Sequence, residues 1–379
     1  MKISSLPICV RARYTAIMQI SKYNRIVIKI GSSIIANEGK LNFDWLKSVA
    51  SDIAELGTEV IIVTSGGVAL GRNAIGKSSG ELKLEEKQAA VACGQIDLMQ
   101  GYREAFAPRH VAQVLLTLWD TERRRNYLNA KNAIETLLNN NVIPVINEND
   151  VTATAELHYG DNDRLSARVA QMLGADLLVI LSDVDGLYDA NPLQNKDAKF
   201  IDEVTDITQE IEGMAGDSTS TVGSGGMKTK VEAAKIAVAA GCDCAILSGK
   251  KDNPLTNIDK STIFKSKTNP LTARKTWIVS GVNPMGEITI DAGAEKALKD
   301  GSSLLPAGAT EVSGQFERGD LVVIKGENGE IARGLTAYSS ENAAKIIGKQ
   351  SSEIEQILGY SGRAELVHRD DMVLTVEKP

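Results

Sequence analysis

The chain has 379 residues, enough for two domains, and its 43% apolar and 24% charged residues are typical of a folded globular protein. Its net charge of −7 argues against a general surface for nucleic acids or anionic membranes. Four cysteines without a CxxC pair indicate reduced thiols and a cytoplasmic location, and three scattered histidines argue against a histidine-based metal site.

Residues 1–22 contain basic but no acidic side chains, and we interpret them as an N-terminal extension rather than a transit peptide. Short apolar runs then alternate with helical patterns as far as residue 270. The runs predicted to be strands are NRIVIKI (24–30), EVIIVTSGG (59–67), VAQVLLT (111–117), VIPVINEND (142–150), the run leading into LSDVDGLYDANP (181–192) and CDCAILSG (242–249). This alternation predicts an α/β fold of three layers, with a mostly parallel sheet between helices, and such sheets bind ligands at the carboxyl ends of their strands.

The pattern changes after Pro270, where short β runs and glycines replace the alternation. The runs EITID, DLVVIKG, ARGLTA and MVLTV, together with two helical patches, predict a small, mainly β domain over residues 276–379. The segment RKTWIVSG is expected to form the hinge before it. The first domain then covers residues 23–270 and carries all of the unusual motifs.

A literal phosphate-loop pattern, GRNAIGKS, occupies residues 71–78. Such a loop needs a strand that ends at its first glycine and a helix that begins at its lysine. Here the predicted strand ends near Thr64, and Gly80 would fall in the first helical turn, where glycine is unfavourable. We therefore prefer a phosphate site distributed over several segments, with a nucleotide hydrolase that uses Lys77 as an alternative.

Three glycine-containing segments form the expected distributed site. KIGSS (29–33) places Lys29 and Gly31 at the end of the first strand, and TSGG (64–67) ends the second. GSGGMKTK (223–230) precedes an alanine-rich helix, whose N-terminus favours anions because its N–H groups are unpaired and its dipole is positive there. Lys29 in the first segment and Lys230 in the third are the cations expected to stabilise a phosphoryl group during transfer.

Two stretches dense in Asn and Asp, INEND (146–150) and GDNDRLSA (160–167), lie between these segments. Asp161 and Asp163 could serve only to cap the helix that begins there. That explanation leaves the other amides and carboxylates unexplained, whereas the ammonium and carboxylate groups of an amino-acid substrate would match them.

The turn LSDVDGLYDANP (181–192) follows another apolar strand. Ser182 and Asp183 are expected to contact a nucleotide at this strand end. The aspartates of the turn resemble a calcium loop, but Leu187 stands where such a loop needs an oxygen ligand, so we exclude calcium.

These motifs, in this order, resemble the amino acid kinase family from about Asn24 to the C-terminus. The matching motifs are KIGSS, TSGG, VINEND, GDNDRLSA, LSDVDGLYDANP and GSGGMKTKVEAA. The full set is most similar to the branch of the family that phosphorylates glutamate at the start of proline biosynthesis. The resemblance implies a kinase without a single phosphate loop. Two departures are GSS where GTS is common and Lys228 in place of a small polar residue.

The resemblance also implies a role for each matched residue. Lys29 and Lys230 would neutralise the transferring phosphoryl group, and Asp163 would position both lysines. The residues implied to hold glutamate are Ser65, Asp150, Asn162 and Asp161. Those implied to contact ATP are Lys29, Gly31, Ser182, Asp183, Ser224, Gly225, Gly226, Met227, Lys228, Thr229 and Lys230. Mg²⁺ would travel on the ATP phosphates, with no metal ligand in the protein.

The tail resembles a PUA domain, a small β module first known from RNA-modifying enzymes. Ten Lys and Arg against sixteen Asp and Glu over residues 276–379 argue against RNA binding, so we expect a structural or regulatory role. The family further implies inhibition by proline, a glutamyl phosphate reductase as pathway partner, and a homodimer or homotetramer. The alternatives are another acid substrate within the family, and an RNA-binding protein that depends on the tail.

Overall fold

The computed structural model describes residues 20–152, 161–192, 194–216, 226–280 and 284–375. These residues divide into two compact units: those up to Glu122 together with Asn129–Pro270, and Arg123–Leu128 together with those from Leu271 onward. Each unit has its own sheet and its own hydrophobic core. Among the described residues, no helix is both long enough and apolar enough to cross a membrane.

Strands and helices alternate along the first unit. The strands are β1 (Arg25–Ile30), β2 (Ala36–Asn37), β3 (Lys40–Leu41), β4 (Glu59–Val63), β5 (Val111–Leu116), β6 (Ile143–Glu148), β7 (Leu177–Ser182), β8 (Leu187–Tyr188), β9 (Phe200–Ile201), β10 (Glu203–Val204), β11 (Asp243–Ser248) and β12 (Ser261–Phe264). The helices that begin before Pro270 are α1 (Ser32–Ile35), α2 (Phe43–Leu56), α3 (Gly67–Gly71), α4 (Leu84–Ala105), α5 (Leu118–Glu122), α6 (Arg124–Asn139), α7 (Asp161–Leu173), α8 (Gln209–Met214) and α9 (Met227–Ala239).

Eight of these strands form one sheet in the order β10-β12-β11-β7-β1-β4-β6-β5. Every neighbouring pair is parallel except β11 and β12. Strands β6 and β7 are buried along their whole length, as expected where helices cover both faces of a parallel sheet. The predicted α/β class with a mostly parallel sheet is confirmed. Because β1, β4, β6 and β7 run in the same direction, the segments that follow them meet at one edge of the sheet.

The sequence of helix α2 accounts for its buried face and for the residue at which it ends. Its apolar side chains recur at helical spacing and are buried on one face, among them Trp45, Val49 and Ile53. The helix ends at Gly57, whose φ of 65° lies in the left-handed region that glycine enters without strain. Both bounds of this helix agree with the sequence pattern.

Helices α3 and α4 cross with their backbones in direct contact. A Cβ atom added at Gly71 would lie 1.8 Å from the carbonyl oxygen of Ala90, and one added at Gly94 would lie 2.1 Å from that of Gly67. Only glycine fits at such distances, so the first glycine of GRNAIGKS is required for helix packing. Lys77 of the same pattern has a half-exposed side chain that pairs with Glu86 at 3.1 Å.

The second unit is mainly β, as predicted. Its strands are β13 (Gly286–Ile290), β14 (Ala309–Gly314), β15 (Leu321–Gly326), β16 (Gly329–Thr336) and β17 (Val367–Leu374), in the sheet order β14-β13-β15-β16-β17. The remaining helices are α10 (Pro270–Ser280), α11 (Ala292–Lys299), α12 (Ser340–Ile346) and α13 (Ile354–Leu358). The segment RKTWIVSG, expected to be a hinge, lies mostly within α10. Pro270 begins that helix because the fixed φ of proline suits a first helical position.

Candidate active site

Two lysines and one aspartate from three distant segments meet at the carboxyl edge of the large sheet. Lys29 lies near the end of β1, Asp163 in the first turn of α7 and Lys230 in the first turn of α9. Lys29 Nζ lies 2.7 Å from Asp163 Oδ1, and Lys230 Nζ lies 3.2 Å from Asp163 Oδ2. All three side chains are buried, with relative exposures of 10% or less. The structure therefore brings the predicted catalytic residues into direct contact.

The charge of Asp163 is set by its neighbours. Burial alone would raise the pKa of this carboxyl, but the positive charges of Lys29 and Lys230 outweigh burial and lower the pKa to about 2. Thr229 Oγ1 also donates a hydrogen bond to Asp163 Oδ2, at 2.8 Å. Asp163 is consequently ionised at neutral pH and holds two cations side by side, an arrangement suited to a ligand with several negative charges.

The N-terminus of α9 adds a second feature that favours anions. Gly226 is its N-cap residue and provides no side chain to pair with the first backbone N–H groups, and no acidic residue lies in the first turn. Among the described residues no side chain caps this turn, so its N–H groups and the helix dipole favour phosphate oxygens. Met227, Lys228 and Thr229 belong to this turn, and Lys228 is exposed. Ser224 and Gly225, also predicted to contact ATP, lie outside the described residues.

A network of side-chain amides lies beside the lysine cluster. Asn162 Nδ2 lies 2.8 Å from Ser65 Oγ and 3.2 Å from Asn147 Oδ1, and it donates to both. Asn147 Nδ2 in turn donates to Gln95 Oε1 at 2.9 Å. Ser65 and Asn162, predicted to hold the substrate, are therefore in contact. Asn147 and Gln95 were not among the predicted site residues; Asn147 lies within INEND, but no motif pointed to Gln95.

Asp150, another predicted substrate residue, follows the end of β6. It lines a cavity of about 640 Å³ together with Gln95, Glu148 and apolar side chains of α4 and β5. Asp161 is the first residue of α7, and its side chain lies outside the described part of the structure. The residues predicted to hold the substrate thus extend from Ser65 and Asn162, through the amide network, to the border of this cavity.

Three more residues predicted to contact the nucleotide lie at the ends of the neighbouring strands β1 and β7, namely Gly31, Ser182 and Asp183. Ser182 is buried at the end of β7, and its hydroxyl donates to Asp183 Oδ1 at 3.0 Å. The N–H of Gly31 donates to the carbonyl of Leu181 at 3.2 Å, and a Cβ there would lie 3.9 Å from Lys29 Nζ. These residues therefore lie close to the lysine cluster. Within the described ranges, no group of three or more His, Cys, Asp or Glu side chains is placed to hold a metal ion.

Comparison with known proteins shows which family and which domains the chain matches. A model of the amino acid kinase family matches residues 24–248, and a model of the PUA domain matches residues 286–358. The glutamate 5-kinase of Agrobacterium fabrum (strain C58) is 54% identical over 366 residues, which cover 94% of each chain. The glutamate 5-kinase of Brucella anthropi is 53% identical and is covered to 97%. Among solved structures, a UMP kinase from Bacillus anthracis covers 65% of the chain at 16% identity, with a TM-score of 0.46.

The family model matches more than half of the chain, so the chain belongs to the amino acid kinase family. Within it, the chain belongs to the glutamate 5-kinase family, with a C-terminal PUA domain.

Proposed function

We propose that this protein transfers the γ-phosphoryl group of ATP to the γ-carboxylate of L-glutamate, forming L-glutamyl 5-phosphate in the first step of proline biosynthesis. The observation that carries the proposal is the position of the amide network relative to the lysine cluster. Asn162, which holds Ser65, and Asp163, which holds the two lysines, are consecutive residues of α7. An acceptor bound by the first residue would therefore lie close to a phosphoryl group bound by the lysines.

The reaction needs little proton chemistry from the protein. A γ-carboxylate is ionised at neutral pH and is already a nucleophile, so no general base is required. The carboxylate attacks the γ-phosphorus in line, the bond from phosphorus to the bridging oxygen breaks, and ADP leaves. Lys29 and Lys230 would neutralise the charge on the transferring group, and Asp163 would hold both ammonium groups in place before the substrate binds.

We assign the two substrates to the two sides of this cluster. Glutamate would be held by Ser65, Asn162, Asp150 and Asp161. ATP would be held by Gly31, by Ser182 and Asp183, and by the segment from Ser224 to Lys230. The buried hydroxyl of Ser182, the uncapped N-terminus of α9 and the contact between Ser65 and Asn162 support this division.

Mg²⁺ would enter with the nucleotide. The carboxylate of Asp163 is already in contact with two lysines and a threonine hydroxyl. Phosphate oxygens and water, the ligands that Mg²⁺ prefers, would therefore hold the ion, which would reduce the charge repulsion around the γ-phosphate.

Further parts of the proposal concern partners and regulation. The acyl phosphate product is labile, so we propose its prompt reduction by a glutamyl phosphate reductase, and inhibition by proline at the glutamate pocket. We also propose a homodimer or homotetramer in the cytoplasm, with residues 23–270 as the kinase domain and 276–379 as a PUA domain of structural or regulatory role. The acidic balance of that domain supports a role other than RNA binding.

The direct test is the formation of a hydroxamate. Purified protein, ATP, Mg²⁺ and hydroxylamine are mixed with glutamate and, in parallel, with aspartate, with acetylglutamate and without an acid. Hydroxylamine traps an acyl phosphate as a hydroxamate, which forms a coloured iron complex. Signal with glutamate alone is the expected result. Signal with another acid would keep the reaction class but overturn the assignment of the acceptor residues, and no signal from folded protein would overturn the kinase proposal.

A further inference from the structure

Gln95 faces the acceptor residues although no sequence motif contains it. It lies in α4, directly after Gly94, where the close crossing brings the start of α3 against this helix. Gln95 Oε1 lies 3.4 Å from the position that a Cβ would take at Gly67, two residues after Ser65. The crossing of the two helices therefore carries this amide to the segment TSGG.

The orientations of the amides follow from one fixed donor. The backbone N–H of Glu148 donates to Asn147 Oδ1 at 2.9 Å, so the oxygen of that amide is identified by the chain itself. Asn147 must then present Nδ2 to Gln95, and Gln95 must present its oxygen in return, at 2.9 Å. The same Asn147 oxygen accepts from Asn162 Nδ2 at 3.2 Å. The orientation of each amide is thus determined by the one before it.

These hydrogen bonds leave one acceptor atom and one donor atom of the amide network unused. Asn162 uses Nδ2 for both Ser65 and Asn147, and its buried Oδ1 has no hydrogen-bond partner among the described residues. Gln95 Nε2 is likewise buried and unpaired within the described part of the chain. Buried polar groups are nearly always paired with protein atoms, ordered water or a ligand. An acceptor oxygen beside Ser65 suits the ammonium group of an amino acid.

We infer that Gln95 is a positioning residue of the acceptor site: its amide oxygen holds Asn147, which fixes Asn162 and so presents Asn162 Oδ1 to the amino-acid substrate. The inference rests on the proposed function, since it concerns affinity for the acceptor. The hydrogen bonds described for Gln95 lead through Asn147 to Asn162 and Ser65, so we expect Gln95 to affect the binding of the acceptor rather than the binding of ATP.

The test is the substitution Gln95→Met, with Gln100→Met as its matched control. Gln100 lies on the same helix, and among the described residues its amide donates to the exposed Glu104 at 2.9 Å. Loss of the one hydrogen bond to Asn147 should raise the KM for glutamate about tenfold. The KM for ATP and the kcat should stay within about twofold of wild type, and Gln100→Met should leave all three unchanged.

A double-mutant cycle separates positioning from a general loss of stability. If Gln95 acts through Asn147, the double variant with Asn147→Leu binds glutamate no more weakly than Asn147→Leu alone. Additive effects, or equal KM values for Gln95→Met and Gln100→Met, would overturn the inference. Should Gln95→Met fail to fold, Gln95→Asn withdraws the oxygen by one methylene and is expected to raise the KM for glutamate in the same way. Wild-type protein that forms no hydroxamate from glutamate would instead overturn the proposed function.

Discussion

The substitution Asp163→Asn should damage both stability and catalysis, because one carboxylate balances two buried cations. Lys29 lies 2.7 Å and Lys230 3.2 Å from its oxygens, and the carboxylate side chain is 1% exposed. An amide of the same shape removes the negative charge that both ammonium groups contact. Breaking such a buried ion pair typically costs about 3–5 kcal/mol. We therefore expect the melting temperature to fall by about 10 °C.

The same carboxylate predicts how the loss depends on pH. The pKa of Asp163 is lowered from 3.8 to about 2 in the folded protein. A carboxyl group whose pKa is lower in the folded protein stabilises the fold at pH values above its pKa in the unfolded chain. That stabilisation is lost as the pH falls from about 4 to about 2. The shift corresponds to about 2 kcal/mol. The difference in the free energy of unfolding between wild type and Asp163→Asn should therefore be largest at neutral pH and should decrease as the pH falls from about 4 to about 2.

The assay is thermal unfolding of both proteins between pH 7 and the lowest pH at which each stays folded, together with steady-state kinetics at neutral pH. Glu212→Gln is the control, because this glutamate pairs with Lys235 on the exposed surface, where an ion pair contributes at most about 1 kcal/mol. We expect kcat for Asp163→Asn to fall by at least about 100-fold, since the lysines lose their fixed positions. A melting temperature equal to that of Glu212→Gln, or a difference that does not change below pH 4, would refute this reasoning.

Three further predictions concern other parts of the site. Lys230→Ala should lower kcat about 1000-fold, because this buried lysine is expected to stabilise the phosphoryl group. Lys77→Ala should keep kcat within about twofold of wild type, because the Lys77 side chain is half exposed. The opposite order would restore the phosphate-loop alternative. Asn162→Ala should raise the KM for glutamate at least about tenfold and leave the KM for ATP unchanged, and a rise in the ATP value alone would contradict the proposed division of substrates. Gly94→Ala should lower the melting temperature by several degrees, since its Cβ would lie 2.1 Å from a backbone oxygen. Gly213→Ala, at a helical position where an added Cβ would meet no atom within 4 Å, should raise the melting temperature slightly. Equal shifts of the two variants in differential scanning calorimetry would contradict the packing argument.

Much of the fold could be predicted because its signals are local. The buried runs of β6 and β7 and the amphipathic pattern of α2 follow from the side chains within each element. The expectation that KIGSS, TSGG and GDNDRLSA would meet needed one further step, that parallel strands end at a common edge. The change of pattern at Pro270 coincides with the boundary between the two compact units, whereas the sequence pattern did not predict the helix α10 that begins there.

The amide network could not be predicted, because it depends on a contact between elements. Gln95 of α4 and Asn147 of β6 are 52 residues apart in sequence, so no local pattern predicts their contact. The match of GRNAIGKS to a phosphate loop has a separate cause, because its first glycine is needed where α3 crosses α4.

The adjacency of Asn162 and Asp163 limits how an enzyme of this architecture could change its acceptor. A longer or shorter acid could be accommodated by moving the start of α7, but that movement would also displace the carboxylate that holds both lysines. Asp150 after β6 and Ser65 before α3 lie outside α7, so changes around these two residues would leave the lysine cluster in place. Directed evolution of substrate choice in this scaffold should therefore concentrate its changes there and leave residues 162 and 163 untouched.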